Sequence, residues 1–241
     1  MTGRRQTPQE RERLSRLEDL VGRCGASYVA SSPWLFASRI QMTSALSRIE
    51  MFKMIEDLPG AVIETGVYRG NSLMLLAQLS QVLEPFAINR KFIGFDSFAG
   101  FSSIDERHDP SNIGPEMFSD TDLSILREAI EVFDIDRPVN RLAKIELVVG
   151  DIVDKAAQYA EKHSELIVAM LILDSDLYLP TKAALEAFVP LMPKGGLIVF
   201  DELAYEPFPG ETQALKEFFT VNSLELRRLR FDSSVVYVRL P

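Results

Sequence analysis

From Ala61 onward the chain alternates short apolar runs with stretches of helical length. The runs are AVIET (61 to 65), KFIGFD (91 to 96), IELVVGD (145 to 151), VAMLILD (168 to 174) and GLIVFDE (196 to 202). Each is apolar on both faces, as a strand covered on both sides must be. Helices are expected from about Asn71 to Val82, after Asp151, and from Pro180 to Val189. Strands alternating with helices predict an α/β fold with a doubly wound, mostly parallel sheet. The final runs, LELRRLRF and SVVYVRL, meet at Asp232-Ser233 and predict an antiparallel hairpin.

Ahead of the sheet, residues 8 to 24 carry Leu14, Leu17, Leu20 and Val21 at helical spacing among charges, the pattern of an amphipathic helix. A second helical pattern runs from about Arg39 to Glu56, with Ile40, Leu46, Ile49 and Ile55 recurring, and Pro59-Gly60 stops it. Residues 1 to 58 therefore read as a helical cap on a single domain of residues 1 to 241. Segment 97 to 144 is too long for a simple crossover and is rich in Asp, Ser, Pro and Gly before a helix from about Thr121 to Phe133. It reads as a lid, or alternatively as a decorated surface loop.

Charge narrows the partners. Acidic residues outnumber basic ones 35 to 26, for a formal net charge of -9, so the overall field repels a phosphate backbone and nucleic acid is not expected. The opening MTGRRQTPQERER lacks the apolar stretch of a signal peptide, and the run from Ile167 to Leu173 is far short of the ~20 residues that span a bilayer. The expectation is a cytoplasmic protein with a small-molecule partner and no membrane contact; a homo-oligomer is allowed but not specified. Cys24, a lone cysteine, makes neither a disulfide within the chain nor a zinc site and reads as structural.

Candidate chemistry sits where strands end. Glu64-Thr65-Gly66-Val67-Tyr68-Arg69-Gly70-Asn71-Ser72 joins the first strand to a helix, at the edge where doubly wound sheets bind ligands. Its glycines are spaced G-x-x-x-G behind an acid, unlike the G-x-G-x-x-G that cradles a dinucleotide pyrophosphate. A leading carboxylate repels pyrophosphate and suits the ammonium of a methionine moiety; a tight turn without a ligand is the bland alternative. Asp96 ends the second strand, where an acid accepts hydrogen bonds from ribose hydroxyls or caps a loop. Asp151 either contacts an adenine or caps the helix that follows. Asp174-Ser175-Asp176 and Asp201-Glu202 crowd carboxylates onto two strand ends. Such groups repel one another unless protons or a cation offset their charge, and oxygen-only donors favour a hard cation such as Mg²⁺ over zinc. The alternative is a set of exposed helix caps. His163 reads as a surface residue and His108 as a solvated loop histidine, with reach to an active site if the insert folds over it. Trp34, Phe36 and Met42 line either a substrate mouth or the core.

Together ETGVYRGNS, FDSFAGF, LDSDLYLPTKAAL and PKGGLIVFDE, in that order, resemble the macrocin O-methyltransferase family from about Arg48 to Phe219. Parallel strands closed by a terminal hairpin are likewise the layout of class I methyltransferases. The resemblance implies an S-adenosylmethionine-dependent, divalent-metal-dependent O-methyltransferase acting on a deoxysugar hydroxyl, nucleotide-linked or on a glycosylated natural product. By that resemblance Glu64 and Gly66 hold the methionine part of the cofactor, with the rest of their turn around it. Asp96 takes the ribose with Ser97 and Phe98 beside it, Asp174 is the first metal ligand and also faces the cofactor, and Asp176 is the general base. Asp201 and Glu202 match the second and third metal ligands. The family usually shows two aspartates there, so Glu202 is a departure. A cephalosporin-hydroxylase-like enzyme on the same scaffold and a non-catalytic cofactor-binding protein are the alternatives.

Overall fold

The computed structural model describes residues 7 to 232 and 234 to 241, so Ser233 of the expected hairpin turn lies outside the described residues. Contacts divide the chain into two units, Met1–Thr43 and Ser44–Pro241, with the boundary inside a helix and well short of residue 58. The first unit holds α1 (Pro8–Cys24), α2 (Ala26–Ser31), a 3-10 turn at Pro33–Leu35 and the start of α3 (Arg39–Lys53). Phe36 is buried with its ring edge-on to Tyr28 at 6.5 Å, a packing role, while Trp34 and Met42 are exposed.

The second unit contains the sheet. Its elements are the rest of α3, β1 (Ala61–Thr65), α4 (Asn71–Leu83), β2 (Phe92–Asp96), α5 (Leu123–Asp134), β3 (Ile145–Val149), α6 (Ile152–Lys162), β4 (Val168–Leu173), α7 (Tyr178–Phe188), β5 (Leu197–Phe200), α8 (Gly210–Phe218), β6 (Leu226–Arg228) and β7 (Val236–Arg239). The seven strands run in the order β3-β2-β1-β4-β5-β7-β6, with β7 antiparallel to β5 and β6. The expected α/β sheet with its terminal hairpin is therefore present. Strand order reverses between β1 and β4, and a crevice opens at such a switch point beyond the strands' carboxyl ends.

Two cores flank the sheet because strand side chains alternate between its faces. Val62, Phe92, Ile172, Leu197 and Val199 pack with Met51, Phe52, Leu73, Leu76 and Leu126 on one face. Ile63, Ile93, Phe95, Leu173, Ile198 and Phe200 pack with Ile152, Ala156, Leu185, Phe188 and Leu215 on the other. Each fully buried large side chain contributes about 1.5 to 3 kcal/mol.

The buried stripe of α3 differs from the expected one. Ser47, Arg48, Met51 and Phe52 are buried, with Ile55 just beyond the helix, whereas Ile40 and Leu46 are exposed. The repeat at 48, 51, 52 and 55 is helical, and the arginine within it conceals the pattern from a reading of apolar positions alone. Just before β2, Arg90 is 4% exposed and donates to the carbonyls of Ile55, Leu58 and Gly60 while pairing with Glu84. Arg90→Ala takes this donor from the Leu58 and Gly60 carbonyls and the cation from Glu84, so chemical denaturation is expected to show a loss of about 3 kcal/mol.

Candidate functional site

The loops leaving the carboxyl ends of β1, β2, β4 and β5 meet in the crevice, and their backbones are strained to do so. Tyr68, Phe98, Asp176 and Ala204, one in each loop, have φ between 49° and 61°. Non-glycine residues in this left-handed region are uncommon and cluster where function holds them. Gly66 has φ 90°, and a Cβ there would lie 1.8 Å from the carbonyl oxygen of Asp174. The first turn and the acid-bearing end of β4 are thus in backbone contact, which only glycine permits.

Glu64 is buried beneath this turn, and its Oε2 has no hydrogen-bond partner among the described residues. Burial pushes its carboxyl up to about 7, against the lowering influence of Arg48 and Ser72. A buried, unsatisfied carboxylate oxygen is costly unless a cation reaches it, and the ammonium expected from the sequence is such a group.

Asp96 accepts at Oδ2 from the backbone N–H groups of Val67 and Tyr68, both at 2.8 Å, and at Oδ1 from Phe98 N–H at 2.7 Å. It fixes the turn after β1, which realises the loop-capping role and still leaves acceptor capacity for a hydroxyl. Ser97 closes its own turn through the Gly100 carbonyl. Asp151 caps α6 by accepting from Val153 N–H at 2.9 Å and also takes the Ser103 hydroxyl at 2.5 Å.

Several side chains of the turn point to other work. Thr65 donates to the Ile172 carbonyl across β1 and β4. Arg69 reaches Asp120 at 2.5 Å, and Tyr68 packs edge-on to Phe118 at 5.5 Å. Gly70 caps the start of α4, Asn71 is exposed there, and Ser72 accepts from Arg48. Ser103, Phe118 and Asp120 belong to the long insert, which therefore folds against the candidate cofactor turn.

The acids gather as expected, with two additions the sequence reading lacks. Asp174 and Asp201 follow paired strands, and the guanidinium of Arg48 stands between them, its Nη2 3.5 Å from Asp174 Oδ2 and 3.3 Å from Asp201 Oδ1. Glu211 at the start of α8 is buried and accepts from Glu202 N–H at 3.1 Å. Burial and Asp201 raise Asp174 well above the carboxylate range; burial and Glu202 do the same to Asp176. Glu202 is pushed up to about 7 by burial and Asp201, and Glu211 is raised by burial and Asp201. One oxygen each of Glu202 and Glu211 is buried without a hydrogen-bond partner among the described residues.

This oxygen-only donor set, with its buried unpartnered acceptors, has the chemistry of a hard divalent cation site. The geometry differs from the expectation: among the described residues no three such groups stand in a metal-holding arrangement, and Arg48 occupies the space between two of the acids expected as ligands. His108 is placed differently from a solvated loop residue: its ring lies tilted at 35° to that of Tyr178 with centroids 4.2 Å apart, and its Nδ1 is 2.9 Å from Asp105. His163 is partly exposed beside Glu165 and stacks at 4.1 Å on Tyr159.

The geometry has counterparts. The calicheamicin methyltransferase CalS11 superposes with a TM-score of 0.90 at 30% sequence identity, covering 97% of this chain and 93% of that one. Its apo structure, described as a TDP-rhamnose 3'-O-methyltransferase of calicheamicin biosynthesis, gives 0.85 at 29% identity, covering 97% and 95%. The O-methyltransferase NovP shares the fold with a TM-score of 0.61 at 20% identity, over 80% and 78% of the two chains. No curated protein sequence matches the chain. The family model described as Macrocin-O-methyltransferase (TylF) matches residues 39–240, most of the chain and all of the strand ends described above. With its acid-led turn and crowded carboxylates where that match runs, the chain belongs to the macrocin-O-methyltransferase family.

Proposed function

We propose that the protein transfers a methyl group from S-adenosylmethionine to a hydroxyl of a deoxysugar, nucleotide-linked or attached to a natural product, with help from a divalent cation such as Mg²⁺. The observation that carries this reading is the contact of two sites at one switch point: the Gly66 turn, with Glu64 beneath it, touches the backbone of Asp174 at the head of the acid cluster. A methyl donor on one side and an activated hydroxyl on the other meet there. The sugar specificity is drawn from relatives that carry such activities in their descriptions.

Glu64 would pair with the donor's ammonium, the Gly66 backbone would admit its methionine part, and Asp96 with Ser97 and Phe98 would border its ribose. Asp151, already engaged as a cap, would border the adenine only through its remaining acceptor capacity. Asp174, Asp201 and Glu202 would hold the cation, which when bound lowers the acceptor hydroxyl's pKa and orients it. Asp176 accepts the hydroxyl proton as the new oxygen–carbon bond forms and the sulfur–carbon bond breaks, leaving S-adenosylhomocysteine.

Glu64 gives the reading a pH signature. Its folded-state value near 7 lies above the ordinary 4.5, so folding takes up a proton between these values and the cofactor-free protein loses stability as pH rises through that window. Binding an ammonium needs the ionised form. Cofactor affinity should therefore rise roughly tenfold per pH unit up to about pH 7 and level off above it, while Glu64→Gln binds weakly at every pH. Calorimetric titration between pH 5.5 and 8.5 reads this directly; a flat wild-type profile contradicts it.

Removing divalent ions with EDTA should abolish turnover, and added Mg²⁺ should restore it. Initial rates of S-adenosylhomocysteine release measure both, and full activity after exhaustive metal removal would sink the metal requirement.

A further inference from the structure

Arg48 is 2% exposed and rises from the buried stripe of α3 into the acid cluster. Its Nε donates to Ser72 Oγ at 2.8 Å, fixing the side chain against the start of α4. Nη2 then lies 3.3 Å from Asp201 Oδ1 and 3.5 Å from Asp174 Oδ2. Both distances exceed the 2.7 to 2.9 Å of a tight charge-assisted hydrogen bond, so the guanidinium is shared between the acids and docked closely on neither. We infer that Arg48 is the resident counter-ion of the cluster and holds, between Asp174 and Asp201, the place a divalent cation takes, so that the metal binds there by displacing the guanidinium.

Two observations and one electrostatic argument support this role of Arg48. Asp174 and Asp201 extend adjacent paired strands, and their main chains are locked by Asp174 N–H to the Thr65 carbonyl and Asp201 N–H to the Leu173 carbonyl, so the gap between them is set by the sheet. A gap of that kind holds one cation at a time, because a guanidinium and a divalent ion within a few ångströms repel strongly in a buried site. Among the described residues, one buried oxygen each of Glu202 and Glu211 also lacks a hydrogen-bond partner with Arg48 in place, so the cluster keeps acceptor capacity that the guanidinium does not satisfy. An arginine that satisfies the acids in part keeps the strand ends folded before metal arrives and weakens metal affinity in exchange. Arg48 is on this account a positioning residue, acting through the acids it holds.

The inference rests on the proposed metal requirement, and the experiment separates the two. Mn²⁺ is titrated calorimetrically into cofactor-free wild type, Arg48→Gln and Arg48→Lys. Removal of the competing charge should tighten Mn²⁺ binding to Arg48→Gln by about tenfold or more, while Arg48→Lys, which keeps a charge, stays closer to wild type. A merely structural arginine would give the opposite sign, since disordered ligands bind more weakly. Wild type that binds Mn²⁺ with Arg48→Gln equal or weaker overturns the inference and leaves the metal requirement standing. Absence of Mn²⁺ binding in all three proteins overturns both. Should Arg48→Gln fail to fold, the wild-type protein still decides: the Arg48 Nε–H resonance must shift and exchange faster with solvent as Mg²⁺ saturates, and a resonance that stays in place at saturation overturns the displacement.

Discussion

Gly66→Ala is expected to abolish cofactor binding and to destabilise the protein by about 3 kcal/mol or more. The added Cβ meets backbone, 1.8 Å from the Asp174 carbonyl oxygen and 2.5 Å from its carbon, and φ of 90° is itself unfavourable for alanine. A flexible side chain could yield; two strand ends held in a sheet cannot. The collision pushes the Glu64 turn and the Asp174 end apart, so both halves of the proposed site fail together. Urea denaturation and calorimetric cofactor titration measure the two effects, and a variant with wild-type stability and affinity would show that the contact does not organise the site.

Asp176→Asn should instead leave stability and cofactor affinity nearly unchanged and lower kcat by about 10² to 10⁴. Asparagine tolerates the φ of 61° that Asp176 adopts, so the substitution removes the proton acceptor without disturbing the backbone. That loss corresponds to about 3 to 5 kcal/mol of barrier, less than the ~7 to 11 kcal/mol that holding two reactants in line can supply. Residual methyl transfer is therefore expected. Single-turnover rates test it, and wild-type kcat with methyl transfer rate-limiting would move the base elsewhere, first to His108, whose ring rests on Tyr178 two residues along the chain.

The sheet was legible because its strands are buried on both faces: AVIET and VAMLIL could hardly sit anywhere but a covered parallel sheet, and the observed β1 and β4 match them. The acids at Asp174 and Asp201 were legible for the complementary reason, since carboxylates directly after such runs have little other place to be. Arg48 was not, because a charge on an apolar helical stripe reads as a surface residue until its partners from distant strands are known. Glu211 was hidden with its helix: GETQALKEF has few apolar residues, and its burial comes from neighbours that sequence spacing does not reveal. The double duty of Asp96 and Asp151, candidates for ligand contact that also cap local backbone, lies in hydrogen-bond directions that sequence does not encode.

Methyl transfer to a sugar hydroxyl is checked by incubating the protein with S-adenosylmethionine, Mg²⁺ and a panel of nucleotide-linked deoxysugars that includes TDP-rhamnose, with mass spectrometry of both products. S-adenosylhomocysteine and a singly methylated sugar are expected in equal amounts from at least one acceptor, with neither product formed from Asp176→Asn at a comparable rate. Cofactor binding confirmed by calorimetry, with no methylated product from any nucleotide-linked or glycosidic hydroxyl offered, would contradict it.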